Sequence, residues 1–233
     1  MQVIIETLQA VGVFLAGMVG RFGIFLFMLA LLVLPALAIA AAAHAIERRH
    51  RRALGLRSVA GVLFRPGARY APGHTWLAAR PSGSFAVGLD DIAQRLLPAV
   101  TLVELARPGS EVKKGEPIAT LHGGGRVVRI GSPVTGTVAG VNAAVIRDPS
   151  LVKRDGYGRG WLVALAPRDE SWMSLPGGSD AERWIGDEAR RFARAVEARL
   201  GMAAADGGEL VAPAPWLLGE EGWRNLAAEF LGS

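Results

Sequence analysis

Few side chains in this sequence are equipped for chemistry, and they are scattered. The 233 residues include no cysteine, which removes disulfides, thiolate metal sites and thiol nucleophiles. The histidines, His44, His50, His74 and His122, do not fall at metal-ligand spacing. No H-E-x-x-H or H-x-x-E-H pair, G-x-S-x-G elbow or Walker A sequence is present. Without a catalytic constellation, the chain reads as a non-enzyme. The one unusual local run is Gly123-Gly124-Gly125, too short and wrongly followed for a nucleotide loop. Its bare N–H groups suit close approach of an anion or another backbone, although a glycine run is more often a permissive turn. His122, Arg126 and Arg129 make the same end basic. These six residues, His122, Gly123, Gly124, Gly125, Arg126 and Arg129, are the candidate partner-binding set. The plainer reading of the arginines is that of solvated loop charges.

The elements that position this run start with an apolar front. Hydrophobic residues make up 51% of the chain, and the excess is N-terminal. Residues 22–46 carry no Asp, Glu, Lys or Arg, a stretch of about 25 residues that is long enough to span a bilayer with some tilt. Pro35 inside it is tolerated where a neighbour or a kink satisfies the freed carbonyl. A cleaved signal peptide is the alternative, with small residues at 40–45. The first twenty residues hold no Lys or Arg, however, and Glu47-Arg48-Arg49-His50-Arg51-Arg52 follows directly, so an uncleaved anchor is expected. The positive-inside rule then places the N-terminus outside and everything after the span in the cytoplasm, at a bacterial-type inner membrane crossed once. Arg48, Arg49, Arg51 and Arg52 would meet anionic lipid headgroups. No aromatics interleave with them, which argues against nucleic acid. Residues 2–20 either extend the same helix, lie in the interface or form a second short span.

Four segments follow: an anchor with its basic flank over 1–52, a linker or docking segment over 53–69, a β-rich domain over 70–176, and a helical extension over 177–233. The expected fold is mainly β. Strands are predicted at 85–87, 100–105, 117–121, 126–130, 137–142 and 161–165, with a short helix at 90–96 capped by Asp90 or Asp91. Many short strands with frequent glycines indicate a small barrel or sandwich. After Gly178, Ser179 and Glu182 make a capping box. Ile185, Ala189, Phe192, Val196 and Leu200 then recur at helical spacing, a stripe expected to pack on the β domain. A second helix is predicted over 221–230, with Trp223, Leu226 and Phe230 on one side, after a proline-broken stretch at 211–216.

Tyr70-Ala71-Pro72-Gly73-His74-Thr75-Trp76 and Val87-Gly88-Leu89-Asp90-Asp91-Ile92-Ala93-Gln94 stand in the middle of the chain. They are similar to the Tyr-x-x-x-His-x-Trp and Val-Gly-Ile-Thr-x-x-Ala-Gln motifs of the H protein of the glycine cleavage system, a lipoyl carrier that shuttles an aminomethyl group. Val103-Glu104-Leu105 with Gly109 and Val112, Ser132-Pro133-Val134-Thr135-Gly136, and Asn142, Pro149, Leu151 and the run from Asp155 to Leu162 continue the likeness in order. The resemblance implies a flattened lipoyl-type barrel of two small sheets with lipoate on a lysine at a hairpin tip. Counting back from Pro133, that position is Gly125. Lys113, Lys114 and Lys153 are the only lysines, and none stands between Lys114 and Lys153, so no cofactor is expected. His74 reads as a structural hydrogen-bonding histidine, and Trp76, Tyr157 and Trp161 as closing aromatics.

The expected function is that of a membrane-anchored, lipoate-free H-protein-like module that binds or scaffolds a protein partner the sequence does not name. Two alternatives remain. One is a working carrier in glycine cleavage or related one-carbon metabolism. The other is a membrane-fusion-type transport adaptor, although such adaptors carry a long helical hairpin where this chain has three glycines.

Overall fold

A computed structural model describes residues 2–200 and 218–232. The chain forms two compact units, Met1–Ala53 and Leu54–Ser233. The first is a single helix, α1 (Gln2–Ala53), with Pro35 inside it and His50, Arg51 and Arg52 in its last turn, where cations complement the helix dipole. Of the three readings of residues 2–20, the structure has the continuous helix. Its segment Gly20–Ala53 is long and apolar enough to cross a membrane. Phe22, Phe25, Phe27, Leu32 and Leu34 along it are all exposed.

The second unit opens differently from expectation. Residues 53–69 are not a plain linker. They contain the hairpin β1 (Arg57–Val59) and β2 (Val62–Phe64), paired Val59 to Val62, with Val62 and Phe64 in the hydrophobic core. Three-residue strands are too short to display a two-residue period in sequence, whereas the glycines and proline around them read clearly as breakers.

Two sheets follow. The larger runs in the order β3 (Arg69–Ala71), β4 (Thr75–Ala79), β5 (Phe85–Leu89), β11 (Val163–Pro167), β10 (Gly136–Val141) and β7 (Glu111–Val112). The smaller runs β6 (Leu102–Leu105), β8 (Pro117–Gly123) and β9 (Arg126–Gly131), with β9 at its edge. The mainly β, two-sheet expectation agrees with this architecture, and all six predicted strands overlap observed ones. Strands β3 and β4 were not predicted, although the Tyr-x-x-x-His-x-Trp spacing held their signature. Their register opposes Tyr70 and Trp76, and both are fully buried. Trp76 also lies opposite Gly88, where an added Cβ would sit 2.6 Å from the indole Cζ2. Only glycine leaves room for that ring. The indole N–H donates to the Leu89 carbonyl (3.1 Å) and the ring stacks on Tyr157 at 5.9 Å.

Short helices close the barrel: α2 (Asp91–Leu96), α3 (Ala143–Arg147) and α4 (Leu151–Arg154). The helical extension is part of the same unit. In α5 (Ser179–Leu200), Ile185, Ala189, Phe192 and Val196 of the predicted stripe are buried, with Ala181 added at its start, while Leu200 at the helix end is only half-buried. Ser179 falls inside the first turn, whose Asp180 and Ala181 N–H groups donate to the Gly177 carbonyl. In α6 (Glu220–Leu231), Trp223, Leu226 and Phe230 are buried together with Ala227 and Leu231. The 211–216 stretch, with Trp216, lies outside the described residues.

Candidate functional site

The hairpin of β8 and β9 carries the candidate set. Gly123 pairs with Arg126, so Gly124 and Gly125 are the two turn residues. Both have positive φ, +57° and +75°, as a two-residue turn matched to strand twist requires. Gly123 is sterically obligatory: a Cβ there would lie 2.0 Å from the Ala99 carbonyl oxygen. A Cβ on Gly124 would lie 3.1 Å from Pro98, whereas Gly125 has open space. The tip is therefore seated on Pro98 and Ala99, and its outermost residue faces outward. A lysine at 125 would meet no clash but would have to adopt the left-handed region, at about 1–2 kcal/mol.

The amines lie elsewhere. Lys113 and Lys114 are exposed at the far end of β8, a strand of seven residues and hence about 23 Å from the tip. Lys153 sits in α4, with its ammonium donating to the Leu97 carbonyl, and burial lowers its pKa. It lines a recess with Pro98, Ala99 and Val100, the segment that seats the tip. Sequence reading missed this proximity, since Lys153 and Leu97 are 56 positions apart. The hairpin tip itself offers no amine for amidation, so its residues do not fit a lipoyl attachment there.

The structure only partly gathers the six candidate residues. His122 is opposed to Leu102 on one side and Val127 on the other, forming a row on the outer face of the small sheet. Its Nε2 lies 3.6 Å from Glu104 without a hydrogen bond. Arg126 is drawn in. Its guanidinium lies 4.4 Å from the Trp223 ring centroid and 3.8 Å from Glu220, leaving the side chain 12% exposed. Arg129 is exposed. Three residues apart on a strand, Arg126 and Arg129 leave from opposite faces. They meet one groove only because α6 runs beside the edge of β9.

His74 has the structural role expected of it. It is buried, with φ +56°, in a region where His is enriched among non-glycines. Nδ1 lies 2.8 Å from Asp90 Oδ2 and Nε2 3.5 Å from Glu188 Oε2, while the ring packs on Trp184 (5.5 Å) and Phe230 (5.6 Å). Burial alone would lower its pKa. The Asp90 charge and hydrogen bond, helped by Glu188, outweigh burial and raise it to about 9. His74 is thus a buried cation that joins both C-terminal helices to the barrel. A folded pKa above the unfolded value of about 6.5 gives stability that is complete below pH 6.5 and lost as pH rises through 9. Unfolding followed between those limits should show a loss of about 3 kcal/mol. A flat profile, or His74→Gln keeping the same pH dependence, would refute the assignment.

A two-sheet β unit whose smaller sheet ends in an outward hairpin tip is a lipoyl-type module. The chain belongs to the glycine cleavage H-protein family, whose profile matches residues 68–187. The glycine cleavage system H proteins of Shewanella sp. (strain ANA-3) and Shewanella baltica (strain OS155) are each 37% identical to it over 103 residues, covering 44% of this chain and 80% of theirs. A crystal structure of a glycine cleavage system H protein from Mycobacterium marinum superposes with TM-score 0.47 at 27% identity, over 53% of this chain and 99% of that one. H proteins normally carry lipoate and are carriers, not themselves catalysts.

Proposed function

We propose that this chain is a membrane-anchored H-protein relative that works without lipoate, as a non-catalytic binding or scaffolding subunit. The observation that carries the reading is the β8–β9 turn, whose two residues are Gly124 and Gly125 where the family's arm would require an amine. A swinging arm needs an exposed primary amine at that point, and no other side chain substitutes. The anchor reading is supported by the apolar length of α1 and by Arg48, Arg49, Arg51 and Arg52 at its C-terminal end. Such a cluster favours the cytoplasmic leaflet and its anionic headgroups. The β unit then faces the cytoplasm from a bacterial-type inner membrane.

One measurement tests both halves. The full chain, co-expressed with a lipoate ligase and extracted from membranes, should have the intact mass of the unmodified, uncleaved polypeptide. A mass gain matching a lipoyl group, on any lysine, would restore the carrier reading. A mature N-terminus mapped between residues 40 and 45 would remove the anchor.

A further inference from the structure

The edge of β9 and the facing side of α6 enclose a groove. Arg126, Arg129 and Arg224 line it, with Glu220, Trp223 and Gly131. Glu220 is the only carboxylate among these lining residues, and it is shared: one oxygen lies 3.8 Å from Arg126 and the other 3.2 Å from Arg224. Arg129 has no ion-pair partner among the described residues. Three guanidinium groups against one carboxylate leave the groove strongly positive, within a helical extension whose own sequence is net acidic. Gly115 lines the lower end, where the exposed Lys113 and Lys114 precede it and the exposed Glu116 follows it, so the adjoining turn adds one net positive charge.

The geometry points to this groove as a binding site for an extended, acidic peptide segment of a partner protein. Charge decides the sign of the ligand. Guanidinium forks take carboxylates bidentately, which gives geometry as well as energy. Shape decides its form. The groove follows β9 along its length, lined by Arg126, Val127, Arg129 and Gly131, from the first to the last of the strand's six residues. β9 bonds to β8 on one side and is the outermost strand of its sheet. An edge strand presents main-chain groups to an extended chain. Trp223, buried beneath the Arg126 guanidinium, backs the groove, and Val127, 54% exposed, offers an apolar contact.

This inference names the partner chemistry of the binding-module reading and rests on it. The test uses the full chain in zwitterionic nanodiscs with a fluorescein-labelled hexapeptide of alternating Glu and Val, followed by anisotropy. Saturable binding is expected, weakening roughly tenfold or more in the Arg129→Glu, Arg224→Glu double variant. The Arg147→Glu, Arg183→Glu double variant, with the same change in net charge at exposed positions outside the groove, should bind within about twofold of the parent. Absence of saturable binding would overturn the proposal. So would equal losses in the two double variants, which would mean net charge alone. Binding of soluble dihexanoyl phosphatidylglycerol that the groove variant abolishes, without peptide binding, would overturn it in favour of a membrane contact. A lipoyl mass would sink the non-carrier reading and leave these outcomes readable.

Discussion

Asp90→Ala should lower the melting temperature of the β unit by about 10 °C at pH 7. Asp90 is fully buried and does two jobs. Its Oδ1 accepts from the Ile92 and Ala93 N–H groups at 3.0 Å each, capping α2, while Oδ2 faces His74 Nδ1 at 2.8 Å. Losing an N-cap costs about 1 kcal/mol. Stranding a buried imidazolium costs more, about 3–5 kcal/mol, because one charge of a desolvated pair remains. The deficit relative to the parent should therefore shrink above pH 9, where His74 is neutral in both proteins. A shift of less than about 3 °C at pH 7 would mean that water or Glu188 compensates His74 unaided.

Trp223→Ala should release α6 from the barrel. Trp223 is buried, its indole N–H donates to the Leu96 carbonyl at 2.9 Å, and its ring carries the Arg126 guanidinium. Truncation leaves a cavity and an unpaired carbonyl, and Trp→Ala at such sites costs about 3–5 kcal/mol. Detachment of a terminal helix caps the loss, so the effect is local. Amide exchange in α6 should accelerate by about a hundredfold or more while exchange in β5 stays near the parent rate. Unchanged protection of α6 would place its anchoring on Leu226 and Phe230 alone. The groove beside β9 would lose its aromatic backing in the same variant.

How far each feature was legible depends on the range of the contacts behind it. The strands around 117–121 and 126–130 could be read because alternation and turn residues are local signals, and the amphipathic stripe of α5 for the same reason. The Gly88 and Trp76 pairing was visible only as two separate motif positions. Their complementarity is a cross-strand contact, between residues twelve apart that share a register. The β1–β2 hairpin escaped because its inward residues, Val62 and Phe64, acquire meaning only from the core they complete. Lys153 escaped because its neighbour, the Leu97 carbonyl, is 56 residues away.

By itself the sequence determined the apolar helix and its arginine flank, the mainly β class, and a tip of glycines without an amine. These follow from composition, period and residue type, which need no partner in space. Only the tertiary structure decided what surrounds the tip. It turned Arg126 inward onto Trp223, left Arg129 on the other face, and laid α6 along β9 so that one groove collects both. That outcome was not written in the spacing of Arg126 and Arg129, because strand geometry sends such a pair to opposite faces. It arose from a helix about ninety residues further on, packed by the burial of Trp223, Leu226 and Phe230.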